Sequence, residues 1–252
     1  MKDEVGHLLS RESEARILEK TGIAVRSVYG CHVTSRVFEQ LARHRLILGP
    51  AKQILRGDAY IYQFKINIKA ALVGDIWQWH QDFIFWREED GLPGTEIVNI
   101  VVFIDSVNEF NAPLYLIPGS HKEGVIEIQP RQSNTGDGMA ANPSAEADWL
   151  PDVAADLKYA LNKGRVQALA EKYGLAAPKG PAGSVLIFDS RLVHASPGNI
   201  SPFDRALAFV TFCRTDNIPS GERIKRPDFL VGRDYSPVEP ASDIGSIGRR
   251  DS

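Results

Sequence analysis

Residues 60–69 alternate between two kinds of side chain with a period of two, which is the pattern of a β-strand whose two faces differ. One parity carries the apolar and aromatic residues Tyr60, Tyr62, Phe64, Ile66 and Ile68. The other parity carries the polar residues Gln63, Lys65, Asn67 and Lys69. The segment therefore predicts a strand with one polar face, and it marks the start of a β-rich region.

Further short apolar segments follow residue 69 and are separated by turn signals. They cover residues 76–85, 96–105, 114–117, 184–188, 192–195 and 205–212. Segment 96–105 is almost continuously apolar, as expected for a strand in the middle of a sandwich, and segment 184–188 is also predicted to be a buried strand. Many short strands with turns between them favour a β-sandwich or barrel.

The residues before position 60 are predicted to be mostly helical. Residues 11–20 resemble a charged amphipathic helix, residues 23–29 a short strand, and residues 34–48 a second helix that Gly49-Pro50 ends. We expect one domain over residues 1–252, with a mainly β core and flanking α-helices. Residues 130–181 break the strand pattern and predict a helical insertion, either a mobile lid or a surface excursion without function. The tail from Ser242 is expected to fray.

Charge and composition exclude several kinds of partner. The 29 basic and 32 acidic residues give a net charge of -3 with no dense basic face, so nucleic acid and anionic membranes are not expected as partners. The apolar runs are too short to cross a bilayer. The first residues show no leader pattern and the 2 cysteines cannot form a disulfide framework, which together predict a cytoplasmic protein.

A candidate metal-binding pair lies in the segment WQWHQDF, residues 77–83. Residues i and i+2 of a strand point to the same face, so His80 and Asp82 are expected to project together. One imidazole and one carboxylate are two of the three ligands of a 2-His-1-carboxylate metal site. A second pair of this kind, His121 and Glu123, lies in a turn, where alternation does not hold, and we interpret His121 as a loop hydrogen-bonding residue.

A third ligand has to come from elsewhere in the chain. His194 follows a predicted strand and would complete the set, although a single histidine there, taken in isolation, is more often a structural imidazole. Arg205 follows eleven residues later at the start of an apolar strand. It is either solvated or directed into the barrel mouth, where it would bind a carboxylate with two hydrogen bonds.

These motifs, together with the run NAPLYLIPGSH at residues 111–121, resemble the phytanoyl-CoA dioxygenase superfamily, and within it the ectoine hydroxylases. The resemblance covers about residues 20–125 and 182–238. It implies a double-stranded β-helix core, which is a cupin-like jelly roll. It also implies Fe(II) as cofactor, with 2-oxoglutarate and O2 as cosubstrates.

Carried over by position, the resemblance implies that His80, Asp82 and His194 bind the iron. It implies that Arg205 binds the distal carboxylate of 2-oxoglutarate, with Ser196 and Asn67 assisting. Gln63 and Trp86 match positions that line the pocket near cosubstrate and substrate. Phe83 belongs to an aromatic belt that forms either a wall for the substrate or part of the core.

The implied reaction is hydroxylation of an unactivated C–H bond of a small molecule, with release of succinate and CO2. A free amino acid or an amino-acid-derived metabolite is the expected substrate, and a larger natural-product scaffold is the alternative. A jelly-roll protein that binds Zn or Mn without redox chemistry, such as an isomerase, and an inactive sensor are the competing classes. A homodimer is left open.

Overall fold

The structure, a computed structural model, describes residues 1–130, 149–153, 156–220 and 226–241. The helices are α1 (Lys2–Ser10), α2 (Cys31–Thr34), α3 (Arg36–Arg43), α4 (Arg45–Leu55), α5 (Asp82–Asp90) and α6 (Lys163–Tyr173). The strands are β1 (Arg16–Leu18), β2 (Val25–Tyr29), β3 (Ala59–Lys69), β4 (Trp77–His80), β5 (Ile97–Phe103), β6 (Tyr115–Leu116), β7 (Val185–Asp189), β8 (His194–Ser196) and β9 (Arg205–Arg214). Two 3-10 turns cover Ser120–Glu123 and Leu150–Asp152.

The strands form two antiparallel sheets. The larger sheet has 6 strands in the order β1-β2-β3-β9-β5-β7, and the smaller one has 3 strands in the order β4-β8-β6. The pairing of β3 with β9 extends from Ala59 opposite Arg214 to Lys69 opposite Arg205, and it forms the centre of the larger sheet. This arrangement confirms the predicted mainly β fold with N-terminal helices.

The outer face of the larger sheet is covered by the N-terminal helices. Phe64 and Ile66 of β3 lie in one buried cluster with Phe38 of α3 and Leu48 of α4. Removing a side chain of this size from water contributes about 1.5–3 kcal/mol, so this cluster holds the helices against the sheet. The inner face of the sheet turns towards β4 and β8 and carries the polar side chains of β3.

A β-bulge in β3 corrects the predicted faces of that strand. The register against β9 shifts between Ile61 and Gln63, so the alternation does not run unbroken through the segment. Tyr60 and Tyr62 consequently lie in a different cluster from Phe64, although the sequence pattern placed all three on one face. The bulge puts both tyrosines on the inner side, next to the polar residues.

Other local predictions were also wrong. Residues 11–20 contain strand β1 instead of a helix, because Ile17 is buried and the segment pairs with β2. Pro50 lies inside α4, which continues to Leu55, so Gly49-Pro50 does not end that helix. Strand β7 is an edge strand whose residues are mostly accessible, not a buried strand.

The predicted insertion at residues 130–181 is described only in part. Residues 163–173 form α6, and residues 150–152 form a 3-10 turn, within the segment predicted to be helical. Residues 131–148 and 154–155, and the tail from Ser242, lie outside the described residues. Within the described ranges, no helix combines the length and the apolar character required to cross a membrane.

Gly232 provides a test of how the C-terminal segment docks on β3. Its backbone N–H donates to the Tyr62 carbonyl, and a Cβ at this position would lie 2.3 Å from the Ile61 carbonyl oxygen. We expect Gly232→Ala to lower the free energy of unfolding by about 1–3 kcal/mol, because the two backbones would have to separate.

Gly6 is the matched control, because it lies inside α1 with open space around it and does not precede a proline. Gly6→Ala should raise the free energy of unfolding by roughly 0.5–1 kcal/mol. Urea denaturation of both variants measures the difference. Equal stability of Gly232→Ala and the unmodified protein would show that the segment does not pack as described.

Candidate metal centre and its two cavities

His80, Asp82 and His194 come together at one buried point, although they lie on different elements. His80 ends β4, His194 starts β8, and the two residues are paired across the smaller sheet. One ligand atom from each of the three residues can be chosen so that all lie within 4.8 Å of one another. The structure thus assembles the three predicted ligand residues, with the third from far along the chain.

Asp82 reaches this point from a helix, which corrects the local argument used to predict it. β4 ends at His80, and Asp82 is the first residue of α5. Gln81 between them keeps an extended backbone, with φ -108° and ψ 137°, so the alternation of a strand persists for that one residue. The prediction that His80 and Asp82 project together was therefore right in outcome, with a strand-to-helix junction in place of a strand.

The two imidazoles are oriented with the same nitrogen towards the shared point. Nδ1 of His80 lies 2.6 Å from the Gln78 carbonyl oxygen, and Nδ1 of His194 lies 2.9 Å from the Leu192 carbonyl oxygen. A carbonyl accepts only from an N–H, so the proton is on Nδ1 and the Nε2 lone pair is free. Both Nε2 atoms lie close to the Asp82 carboxylate, at 3.5 and 3.7 Å.

This donor set fits a divalent metal ion such as Fe(II). Two neutral Nε2 atoms and one carboxylate match the ligands of non-haem iron sites, and the hydrogen bonds on Nδ1 are the orienting contacts that such ligands have. Burial lowers the pKa of His194 to about 4, which keeps its imidazole neutral. Burial alone would raise the pKa of Asp82, but the positive charge of Lys65 holds it below its usual range.

Asn99 and Lys65 contact the Asp82 carboxylate, and neither was predicted to do so. The Asn99 amide donates to Asp82 Oδ2 at 2.7 Å, while its own Oδ1 accepts from the Thr211 hydroxyl. Lys65 Nζ lies 3.9 Å from Asp82 Oδ1. The sequence sets Asn99 apart, because it is the one polar residue in the apolar run 97–104. Lys65 likewise belongs to the set of polar residues that alternate along its strand.

A cavity on one side of the cluster contains Arg205, and we call it the Arg205 cavity. It is lined by His80, His194, Asn67, Ser196, Lys65 and Arg205, among others. The structure therefore brings three predicted cosubstrate-binding residues to one cavity beside the candidate metal ligands. Gln63 does not line it, and its amide donates to the Leu230 carbonyl.

Arg205 is buried in this cavity without a carboxylate partner. Its Nε and Nη2 donate to the backbone carbonyls of Asn111 and Ala112, and Nη1 donates no hydrogen bond to the described residues. Burial lowers the pKa of Arg205 to about 9. Ser196 Oγ and Asn67 Oδ1 are also buried, and neither has a hydrogen-bond partner among the residues that the structure describes.

A second cavity adjoins the cluster, and we call it the Asp152 cavity. It is lined by His80, Asp82, Gln63, Trp86, Asp152 and Arg226, among others. Gln63 and Trp86, which the resemblance placed near cosubstrate and substrate, thus both line this cavity. Phe83 is buried in the core and does not line this cavity, where Phe85 does.

The remaining histidines lie apart from the cluster. His7 is in α1, His32 in α2, and His44 precedes α4. His121 lies in the 3-10 turn Ser120–Glu123, and its Nδ1 has no hydrogen-bond partner among the described residues, so the predicted loop hydrogen bond is missing there. Glu123 accepts from Lys172 and Tyr173 instead of facing a metal ligand.

A jelly-roll scaffold of two antiparallel sheets with a buried 2-His-1-carboxylate cluster defines the class of non-haem metal-binding double-stranded β-helix proteins. Comparison with known families is consistent with this class. The family model described as phytanoyl-CoA dioxygenase (PhyH) matches residues 1–207. The chain belongs to the phytanoyl-CoA dioxygenase family.

Two curated relatives and one solved structure illustrate the similarity. L-proline trans-4-hydroxylase of Streptomyces griseoviridis is 38% identical over 235 residues, which are 92% of this chain and 83% of the relative. Ectoine dioxygenase of Halomonas elongata is 33% identical, with 97% of this chain and 71% of the relative covered. The apoform of EctD from S. alaskensis superposes with a TM-score of 0.76 at 26% identity, covering 95% of this chain and 77% of that one. This similarity confirms the double-stranded β-helix fold.

The Asn99 contact predicts an effect on metal affinity. Asn99→Leu removes the amide that orients the Asp82 carboxylate, and we expect Fe(II) or Mn(II) to bind roughly 10–100-fold more weakly. Thr211→Val, which removes the hydroxyl on Asn99 Oδ1, should act in the same direction and less strongly. Anaerobic equilibrium dialysis measures both affinities.

Glu123→Gln is the control, because it alters the other His-x-acid pair of the sequence. It should leave metal affinity unchanged, since Glu123 lies outside the cluster. Unchanged affinity in Asn99→Leu would show that the amide does not orient the ligand.

Proposed function

We propose that this protein is an Fe(II)- and 2-oxoglutarate-dependent dioxygenase that hydroxylates an unactivated C–H bond of a free amino acid or an amino-acid-derived metabolite. The observation that carries this proposal is the candidate metal cluster, whose residues line two cavities, one of which contains a buried arginine without a carboxylate partner. The relatives named L-proline trans-4-hydroxylase and ectoine dioxygenase, and an EctD structure with 2-oxoglutarate and 5-hydroxyectoine, support the same chemistry.

His80, Asp82 and His194 are the residues that would hold the iron. Iron bound there supplies the redox chemistry by which O2 and 2-oxoglutarate oxidise a C–H bond, with release of succinate and CO2. Three protein ligands leave further coordination positions for the cosubstrates. The protein provides the orientation of the two imidazoles, the held carboxylate and a site enclosed by both sheets.

Arg205 would bind the distal carboxylate of 2-oxoglutarate. An arginine in a closed cavity is far better stabilised by a carboxylate than by backbone carbonyls alone, because the ion pair offsets the cost of burying the charge. Ser196 Oγ and Asn67 Oδ1, which lack partners, lie in the same cavity and would complete the polar contacts of the cosubstrate.

The Asp152 cavity would bind the substrate. Trp86 and Phe85 form an aromatic wall, and Gln63 and Arg226 supply polar groups at its edge. The relatives named for L-proline and ectoine favour a small molecule over an extended scaffold. The larger natural-product scaffold is therefore the weaker alternative.

The domain organisation, the cellular location and the oligomeric state can also be inferred. We infer a single oxygenase domain over residues 1–252, with residues 130–181 as an insertion beside the site. We also infer a cytoplasmic location, which the free and buried thiols of Cys31 and Cys213 support. A homodimer stays an open prediction.

The assay that tests the function measures succinate formed from 2-oxoglutarate in the presence of Fe(II), O2 and a panel of amino acids. We expect succinate release that one or more amino acids stimulate, and its loss in His80→Ala and Asp82→Ala with the fold intact by circular dichroism. Tight Zn binding without succinate release would instead identify a non-redox metal protein, and 2-oxoglutarate binding without turnover would identify a sensor.

Arg205 gives a separate prediction on the cosubstrate. Arg205→Ala and Arg205→Lys should raise the KM for 2-oxoglutarate by roughly 30-fold or more, because a buried charge pair is lost or misaligned. Arg214→Ala is the matched control, since Arg214 ends the same strand and pairs with exposed Asp216. An unchanged KM in both Arg205 variants would place the carboxylate anchor elsewhere.

A further inference from the structure

Asp152 is a buried carboxylate without a hydrogen-bond donor. It ends the 3-10 turn Leu150–Asp152, and its side chain has no exposed surface. Neither Oδ1 nor Oδ2 accepts a hydrogen bond within the described part of the chain. A buried charge of this kind is costly unless a partner supplies hydrogen bonds and an opposite charge.

The cation closest to Asp152 is already neutralised by another carboxylate. Arg226 donates through Nε and Nη2 to both oxygens of Asp90, and only its Nη1 faces Asp152, 3.6 Å from Oδ2. The next pair, Lys158 with Glu89, is likewise balanced. Asp152 is therefore the surplus negative charge of this group.

The physical state of Asp152 agrees with this charge count. Burial raises the pKa of its carboxyl to about 7, and Arg226 only partly opposes that effect. A carboxyl that serves mainly as the partner of an arginine would have a pKa below its usual value. The group of charges around Asp152 therefore needs one further positive charge, and the protein does not supply it.

Asp152 faces the substrate side of the candidate metal centre. It lines the same cavity as His80, Asp82 and Trp86. The turn is held in place, because the Arg26 guanidinium donates to the Val153 carbonyl oxygen at 3.2 Å. The carboxylate is therefore part of a fixed cavity wall.

We propose that Asp152 binds the ammonium group of the substrate and selects substrates that carry a protonated amine. This proposal rests on the proposed function, since it assigns the Asp152 cavity to the substrate. A substrate ammonium supplies the hydrogen bonds and the positive charge that the carboxylate lacks. Molecules of the same shape without the amine would leave Asp152 buried and unpaired, and they should be rejected for that reason.

The test compares substrates with and without the amine in the unmodified protein and in Asp152→Asn. The amine probes are L-proline and L-pipecolate, and the ring carboxylates cyclopentanecarboxylate and cyclohexanecarboxylate are their analogues without nitrogen. We expect at least one amine probe to stimulate succinate release and its KM to rise roughly 30-fold or more in Asp152→Asn. The ring carboxylates should be turned over at least 100-fold less efficiently than the amine.

Thermal unfolding distinguishes this role from a structural one. If Asp152 served to balance Arg226, Asp152→Asn would lower the Tm of the ligand-free protein. If it binds substrate, loss of a surplus buried charge should leave the Tm unchanged or raise it. Asp156→Asn is the matched control four residues along the chain, where an exposed carboxylate pairs with Lys20, and its KM should not change.

The pH dependence of the KM gives an independent readout. The carboxyl faces Arg226 of the C-terminal segment, Asp90 and Glu89 of α5, and Lys158 and Tyr159 of the segment before α6. Its charged form, which binds an ammonium, becomes populated as the pH rises through about 7. The KM of an amine that stays protonated should therefore fall between pH 6 and 8, and this dependence should vanish in Asp152→Asn.

Each outcome separates this inference from the proposed function. The role of Asp152 would be overturned if succinate is released but no amine probe stimulates its release. It would also be overturned if the KM in Asp152→Asn stays within threefold of that of the unmodified protein. Either result leaves the oxygenase function intact. Absence of 2-oxoglutarate turnover with Fe(II) would overturn the proposed function itself. Equal turnover of the ring carboxylates would also exclude selection for an amine.

Discussion

The pairing of β3 with β9 is the interaction on which both the fold and the candidate site depend. It aligns Lys65 with Phe209 and Lys69 with Arg205, so the inner faces of the two strands carry charged and aromatic groups side by side. The outer faces carry the apolar residues that the helices cover. One ladder of backbone hydrogen bonds therefore separates the core from the site, and a register slip of one residue would exchange them.

Burying polar groups on the inner face requires partners, and most of the buried charges in the described ranges have them. Arg26 pairs with Glu19, Arg226 pairs with Asp90, and Asp82 is held by hydrogen bonds and nearby positive charge. These contacts offset the cost of removing the charges from water. Lys69, Arg205 and Asp152 are exceptions: Lys69 donates only to the Asp75 backbone carbonyl, and Arg205 and Asp152 line the two cavities next to the metal ligands. Unpaired charges of opposite sign in two neighbouring cavities are expected of a protein that binds two different ligands there.

The sequence allowed the β core and the pair His80 and Asp82 to be predicted, because both depend on short-range patterns, whereas His194 was assigned through the family resemblance. Alternation identifies a strand such as β3, and the spacing of His80 and Asp82 identifies a ligand pair. The bulge in β3 could not be predicted, since it is set by pairing with β9 and not by the local residues. The helix predicted at residues 11–20 failed for the same reason, because pairing with β2 outweighs the helical pattern of the segment.

The groups that surround the metal ligands were harder to find because their roles arise only in three dimensions. Asn99 and Asp152 are ordinary polar residues in the sequence, and their importance comes from burial next to charges contributed by distant segments. Asp82 shows the same dependence, since it lies at the start of α5, where the helix dipole favours a negative charge. A ligand fixed in the first turn of a helix and held by a neighbouring strand is more rigid than one on a loop. The strand-to-helix junction thus places a carboxylate accurately between two imidazoles, and a rigid carboxylate is what a shared metal position requires.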